Sequence, residues 1–277
     1  MRAEQVVIAQ LTDTHISVGD HGLGQAYWDE NTRRLRSAVR SLNAETEPPA
    51  VVIGTGDLVE CGSTAAYEIL TEITSQLNMP FWPLPGNHDS RVNIRKSFPE
   101  MPWEENHASW SQEVPDTDIQ VIALDTTQAG RQGGFVDAER LEWVADQIDQ
   151  ATWARKPCVV ATHHPPFLTG IDWMDAMGFE GFDELRAVFI EHPPTQIISG
   201  HFHRNITAQV GTTVASVGIA TTMHINLDLS NAAVPSIIND PIGYQLLSIP
   251  NDEEPQVITH TRFIDRASVA RPIQVQI

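Results

Sequence analysis

Apolar residues in this chain fall into short runs separated by longer stretches of helical spacing. Residues 5–11, 50–55, 81–84, 119–124, 158–162 and 196–199 are predominantly apolar or β-branched over four to seven positions. Such runs, too short for helices and barely alternating, are expected for strands buried on both faces of a parallel sheet. Between them, residues 31–45 carry Leu35, Val39 and Leu42 on one helical face and Arg33, Arg34, Arg36 and Arg40 on others, with Pro48 and Pro49 as the stop. Ser63 or Thr64 caps a second helix bearing Ile69, Ile73 and Leu77. Asp137 caps a third, with Leu141, Val144 and Ile148, and a fourth is expected near residues 183–190. Residues 18–28 and 167–181 read as loops. Residues 90–114, with Pro99, Pro102, Trp103 and Trp110, read as irregular. Beyond Asn205 the helical spacing disappears. Residues 207–217, 244–249 and 256–263 are β-branched and strand-like.

The alternation of strand and helix followed by a strand-rich end defines an α/β fold with no internal repeat. The expected organisation is one domain over residues 1–266, with a C-terminal tail, 267–277, that carries no packing signal. The 277 residues include 36 acidic and 17 basic side chains, a formal charge of −19. A surface of that sign repels polyanions, so a nucleic acid polymer is an unfavourable partner. No apolar run is long enough to cross a membrane. The apolar run after Gln5 leads directly to Asp13, which leaves no room for a removable leader, and the cytoplasm is the expected location. Cys61 and Cys158 are the only cysteines. Cys158 lies in an apolar run and is expected to be a small buried side chain, not half of a disulfide.

Five polar clusters follow the expected strands: Asp13-Thr14-His15, Gly56-Asp57, Gly86-Asn87-His88-Asp89, His163-His164-Pro165-Pro166 and Gly200-His201-Phe202-His203. Ligands of α/β proteins gather at the C-terminal edge of the sheet, so five clusters there imply one site. Carboxylates, an amide and imidazoles are oxygen and nitrogen donors suited to divalent first-row metals. Prolines after His163-His164 fix the backbone behind the imidazoles. On an extended segment, His201 and His203 would share one side, suitable for neighbouring ions, whereas His164 would point away from His163. His224 is the most interesting of the remaining histidines because it follows a strand in a polar loop. The loop carrying Trp173, Met174, Met177 and Phe179 is either a wall of the site or ordinary packing.

The order Asp-x-His, Gly-Asp, Gly-Asn-His-Asp, His-His-Pro-Pro, Gly-His-x-His resembles the calcineurin-like metallophosphoesterase superfamily. Within it the chain is similar to the class III cyclic nucleotide phosphodiesterases and the related bacterial glycerophosphodiesterases. The resemblance implies a four-layer α-β-β-α sandwich of two mixed sheets flanked by helices. It implies two divalent transition metals, Mn, Fe, Zn or Co. One would be held by Asp13, His15, Asp57 and His203, and the other by Asp57, Asn87, His163 and His201. His88, beside Asn87, would face the substrate. The implied activity is hydrolysis of small phosphodiesters, cyclic nucleotides first and glycerophosphodiesters second, with self-association left open. Protein phosphatases of the superfamily usually show Arg-Gly-Asn-His-Glu, whereas Pro85 and Asp89 stand here and no arginine flanks the motif. A noncatalytic relative would be expected to have lost ligands, and none is lost.

Overall fold

Along residues 121–124, Val121 and Ala123 join one buried cluster while Ile122 and Leu124 join another. The same division separates Val159 and Ala161 from Val160, and Ile198 from Ile197. Side chains of a strand alternate between faces, so two clusters on alternate residues mean a sheet covered on both sides. The computed structural model describes residues 5–19, 24–230, 234–250 and 256–264.

The chain runs β1 (Gln5–Leu11), α1 (Gln25–Asn43), β2 (Val51–Thr55), α2 (Thr64–Thr74), β3 (Phe81–Leu84) and α3 (Arg91–Ser97). It continues through β4 (Trp110–Glu113), β5 (Gln120–Leu124), β6 (Gly134–Phe135), α4 (Ala138–Trp153) and β7 (Cys158–Thr162). Then come α5 (Asp172–Asp175), β8 (Phe179–Glu180), α6 (Phe182–Glu191), β9 (Gln196–Ser199), β10 (Ile206–Val210) and β11 (Thr213–Val217). The last described elements are β12 (His224–Ile225), β13 (Ile237–Ile238), β14 (Gly243–Pro250) and β15 (Ile258–Phe263).

One sheet has the order β15-β14-β1-β2-β3 and the other β10-β11-β9-β7-β5-β4. Their parallel centres are β1-β2-β3 and β5-β7-β9-β11, and β14, β15, β4 and β10 pair antiparallel at the margins. The first buried cluster joins Leu11 and Ile53 of one sheet to Val121, Val159 and Ile198 of the other, and takes in Leu35, Val39 and Leu42 of α1. The second packs the far face of the larger sheet on Val144 and Ile148 of α4 and Leu185 and Phe189 of α6. The result is the expected four-layer sandwich of two mixed sheets with helices outside. Pro83 is tolerated because β3 is an edge strand. Its carbonyl accepts from the buried Trp110 indole, 2.7 Å away, which ties the two sheets together.

Several expectations need correction. Residues 90–114 are only partly irregular: Ser90 caps α3 by accepting from the Asn93 amide and β4 extends the larger sheet, while residues 98–109 between them are irregular as expected. Tertiary pairing supplies what periodicity lacked, since α3 has a single fully buried residue, Ile94. Helix α1 begins at Gln25, inside the expected loop. Residues 207–217 form a hairpin, β10–β11, turning at Gly211 with φ 60°. The loop 167–181 contains α5 and β8, and β8 pairs with β6. Ser63 and Asp137 cap α2 and α4 as expected. Both cysteines are free, with Cys158 buried. The tail, 267–277, lies outside the described residues.

Candidate metal centre

The loops after β1 and β2 continue the strand ladder beyond the sheet: Asp13 N–H donates to Gly56 O at 3.0 Å and His15 N–H to Asp57 O at 2.9 Å. This register sets the two carboxylates side by side. A left-handed turn then aims each side chain. Seven described non-glycine residues have positive φ, and five of them are Asp13, His15, Asp57, His201 and His203. Such strain persists only where surrounding structure over-determines it, commonly at functional sites. His201 and His203 are therefore not on an extended segment, contrary to expectation. Turns separate them, so that His203 joins His15 and Asp13 while His201 packs near His163 and His164. Gly86 is required by space, because a Cβ there would lie 2.2 Å from Asp57 Oδ1 and from its backbone N.

Asp89 clamps the Asn87–His88 loop onto the Asp57 loop. Its buried carboxylate accepts from the amides of Gly86, Leu58 and Val59 and from the Tyr67 hydroxyl. Burial and the Asp57 charge push its pKa up to about 6. His88 N–H in turn donates to Asp57 Oδ1 at 2.9 Å, and the His201 amide donates to both oxygens of Asp13.

All the expected ligands meet in one cleft. Asp13, His15, Asp57 and His203 offer ligand atoms within 4.8 Å of one another. Asp57 Oδ2 lies 3.7 Å from His15 Nε2 and 3.3 Å from His163 Nε2, between the two groups. His163 Nε2 is also 3.1 Å from Asn87 Oδ1. Three imidazoles face inward through Nε2 because Nδ1 donates outward. His15 donates to Glu60 Oε2 (2.6 Å), His163 to Thr55 O (2.9 Å) and His203 to Met223 O (2.9 Å). His15 Nε2 and His203 Nε2 consequently confront each other at 3.2 Å. Lone pairs at that distance, beside carboxylate and amide oxygens, call for a positive charge between them. The donor set therefore fits divalent cations.

Electrostatics express the same demand. Burial alone would raise the pKa of Asp57, but the charge and hydrogen bond of His163 hold it well below the usual carboxylate range. Asp13 is lowered likewise, His203 outweighing burial. Burial opposes the charged form of His163, yet Asp57 and Asp13 bring it up to about 9. His88 is raised in the same way, burial being outweighed by Asp57 and Glu60. Burial and the neighbouring imidazoles hold His201 well below the usual histidine value.

His164 was expected to point away. Its ring instead stands 4.9 Å from that of His163 and 4.6 Å from that of His201, because the chain bends at this point. Both its nitrogens are nevertheless occupied, Nδ1 by Thr126 Oγ1 and Nε2 by Gln132 O, so it supports the cleft wall. Burial, with His163 nearby, lowers its pKa to about 3. Glu60 was missed by sequence reasoning. It accepts from His15, and its backbone carbonyl accepts from His88 Nδ1 at 2.9 Å. The available signal was an acid three residues after Asp57 on a site-forming loop. Arg91, two residues past Asp89, turns away to Asp125 and the Thr127 carbonyl. Trp173, Met174 and Met177 line the cleft with Trp28, Gln132, Met223 and Ile225 about a space of 170 Å³. The loop 167–181 thus borders the cleft, and Met174, Trp173, Met177 and Phe179 also pack on the second buried cluster. His192 pairs with Asp149, His260 is exposed and His21 lies outside the described residues.

A two-sheet sandwich presenting carboxylates, an amide and imidazoles at its strand ends defines a metal-dependent phosphoester hydrolase. Residues 6–205 match the model of the calcineurin-like phosphoesterase family, and the chain belongs to that family. It is 28% identical over 264 residues to "Probable glycerophosphodiester phosphodiesterase" of Arcobacter nitrofigilis, covering 94% of each chain. It is 32% identical over 200 residues to "Probable cyclic nucleotide phosphodiesterase" of Rhodopseudomonas palustris, covering 71% of each. A dimetal phosphatase from Danio rerio shares the fold at TM-score 0.64 and 11% identity, with 92% of this chain and 98% of that one aligned. No helix among the described residues is long and apolar enough to cross a membrane.

Proposed function

We propose that the chain is a two-metal phosphodiesterase for small diesters, with cyclic nucleotides as the preferred class. The observation that carries this reading is the cleft's charge. Three inward-facing imidazole Nε2 atoms converge with Asp13, Asp57 and Asn87, and no lysine or arginine is among the described residues lining the space. Asp13, His15 and His203 would hold one ion, Asn87, His163 and His201 the other, with Asp57 shared. Mn, Fe, Zn and Co all suit these donors. Such an ion pair, when bound, offsets phosphoryl charge and acidifies a water.

The protein's own groups then orient and protonate. His88 Nδ1 must carry its proton to donate to the Glu60 carbonyl, which leaves Nε2 for the substrate. In the metal-free protein Asp57 and Glu60 raise its pKa, and a proton on Nε2 would serve the departing alkoxide. Asn87 stays neutral, which leaves the centre more positive than a third carboxylate would. A diester carries one negative charge and needs less cationic help than a dianionic monoester. Arg91, two residues beyond the motif, is committed to Asp125. The half-buried Trp173 and Met177 offer apolar surface to a base, and an adjoining space of about 330 Å³ adds Phe179.

Glycerophosphodiesters are the second reading, favoured by the similar protein covered over 94% of its length. The test is kcat/KM on bis-p-nitrophenyl phosphate against p-nitrophenyl phosphate, then on cyclic AMP against glycerophosphodiesters, with each metal. Diesters should be faster. A consistent advantage for p-nitrophenyl phosphate under every metal would falsify the diesterase assignment.

A further inference from the structure

His224 belongs to neither half of the cleft. It is 2% exposed, and neither ring nitrogen has a hydrogen-bond partner among the described residues. Native proteins rarely leave a buried imidazole without partners, because its polar atoms lose their water and gain nothing. Its neighbours Met223 and Ile225 line the metal cleft, whereas His224 lines a separate cavity of about 370 Å³ with no lining residue in common.

Arg204 stands in the same cavity wall. Its Nη1 donates to Ile225 O at 2.7 Å and lies 3.4 Å from Asp240 Oδ2. Nε and Nη2 have no partner among the described residues. The Asn205 amide is engaged, donating to Thr261 and accepting from Gln245. The open donors are the Nε–Nη2 edge of the guanidinium and one imidazole N–H, beside the Asp240 carboxylate that pairs with Nη1. The remaining wall is apolar, formed by Ile219, Pro241 and the half-exposed Phe263. A cavity of this size with an apolar wall and a few convergent polar groups has the character of a small-molecule site. A guanidinium edge beside an N–H donor matches the oxygens of a carboxylate or phosphate.

We propose that this cavity is a second ligand site, taking a small organic anion whose carboxylate or phosphate-type head meets Arg204 and His224 and whose flat apolar body lies on Ile219, Pro241 and Phe263. The site is separate from the metal cleft, so its fate does not depend on the phosphodiesterase reading. It does share a strand with that cleft. Met223 O accepts from His203 Nδ1, and Arg204 holds the Ile225 carbonyl, so both sites brace the same three residues.

The test is nitrogen-15 NMR of the His224 ring and Arg204 Nε in the zinc-loaded full chain. Benzoate and benzylphosphonate distinguish the two head groups, and benzamide serves as the neutral control. At least one anion should give saturable shifts with Kd on the order of 1 mM or tighter, and benzamide should give none. Arg204→Gln should weaken binding tenfold or more, and His224→Gln, which keeps a donor and an acceptor, should weaken it less. No saturation with either anion, an equal response to benzamide, or unchanged binding in Arg204→Gln overturns the proposal. If Arg204→Gln does not fold, Phe263→Ala at its half-exposed position decides. It must cost benzylphosphonate several-fold while sparing methylphosphonate, and equal effects on both overturn the proposal.

Discussion

On the Asp13 side of the cleft, His15 gives its outward proton to a carboxylate, Glu60, and His203 gives its own to the Met223 carbonyl. On the other side, His163 donates to the Thr55 carbonyl, while the His201 ring has no hydrogen bond among the described residues and is held by ring contacts. The donor types are similar on the two sides, but their support differs. A carboxylate behind an imidazole fixes its tautomer and raises its basicity, and a backbone carbonyl does so more weakly. Ring packing fixes position but does little for basicity. The Asp13 side also has four ligand-type groups already within 4.8 Å, whereas the cluster around His163 and His201 includes His164, whose nitrogens are occupied. Two ions in this cleft should therefore differ in affinity, with the His163 side emptying first.

The most damaging change to both sides at once is Asp57→Ala. Turnover should vanish, and metal content after dialysis should fall on both sides, whereas His15→Ala should deplete chiefly the Asp13 side. Elemental analysis decides the point, and an Asp57→Ala protein that keeps two tightly held ions would remove the bridge from the model of the centre. Next in size is His88→Ala, expected to lower kcat by about 10²–10⁴ while leaving metal content alone. Cyclic AMP should suffer more than bis-p-nitrophenyl phosphate, whose leaving group needs no proton. Equal losses on the two substrates would make His88 a phosphate-charge stabiliser and not an acid.

Glu60→Gln tests the difference in support directly. Metal affinity on the Asp13 side should fall about 10–100-fold, which narrows or reverses the order of release to a chelator. An unchanged gap between the two sides in release to the chelator would mean that Glu60 does not account for the asymmetry. The mildest test is pH. His163 is protonated below about 9 in the metal-free protein, and a protonated imidazole cannot ligate. Affinity on its side should therefore climb with pH, about tenfold per unit between neutrality and that value, and then level. Calorimetric titration with zinc at several pH values measures it, and a flat profile from pH 7 to 9 contradicts the His163 assignment.

Much of this was readable from the chain. The apolar runs located the central strands to within a residue or two, since strands buried on both faces need uniformly apolar, β-branched sequence. Ser63 and Asp137 marked helix starts because capping is local chemistry. The polar clusters at strand ends announced one site. Helix α3 and strand β4 were not readable, because their stability comes from neighbours in space: Asn93 bonded to Gly62, Trp110 bonded to Pro83 and β4 paired with β5. The hairpin β10–β11 looked like one strand because its turn rests on a single glycine.

For the site, sequence alone supplied the candidate ligand types and their order along the chain, because metal chemistry restricts which side chains suit such a site. Tertiary structure decided which nitrogen of each histidine faces inward, because that follows from the acceptor behind the ring: Glu60, Thr55 or Met223. It also occupied both nitrogens of His164, which the sequence had already set apart from the candidate ligands, and turned Arg91 away to Asp125. Left-handed turns at His201 and His203 sent two residues of one short motif to opposite sides of the cleft, where an extended segment would have kept them together. These outcomes depend on contacts between residues tens to hundreds of positions apart, which no local pattern encodes.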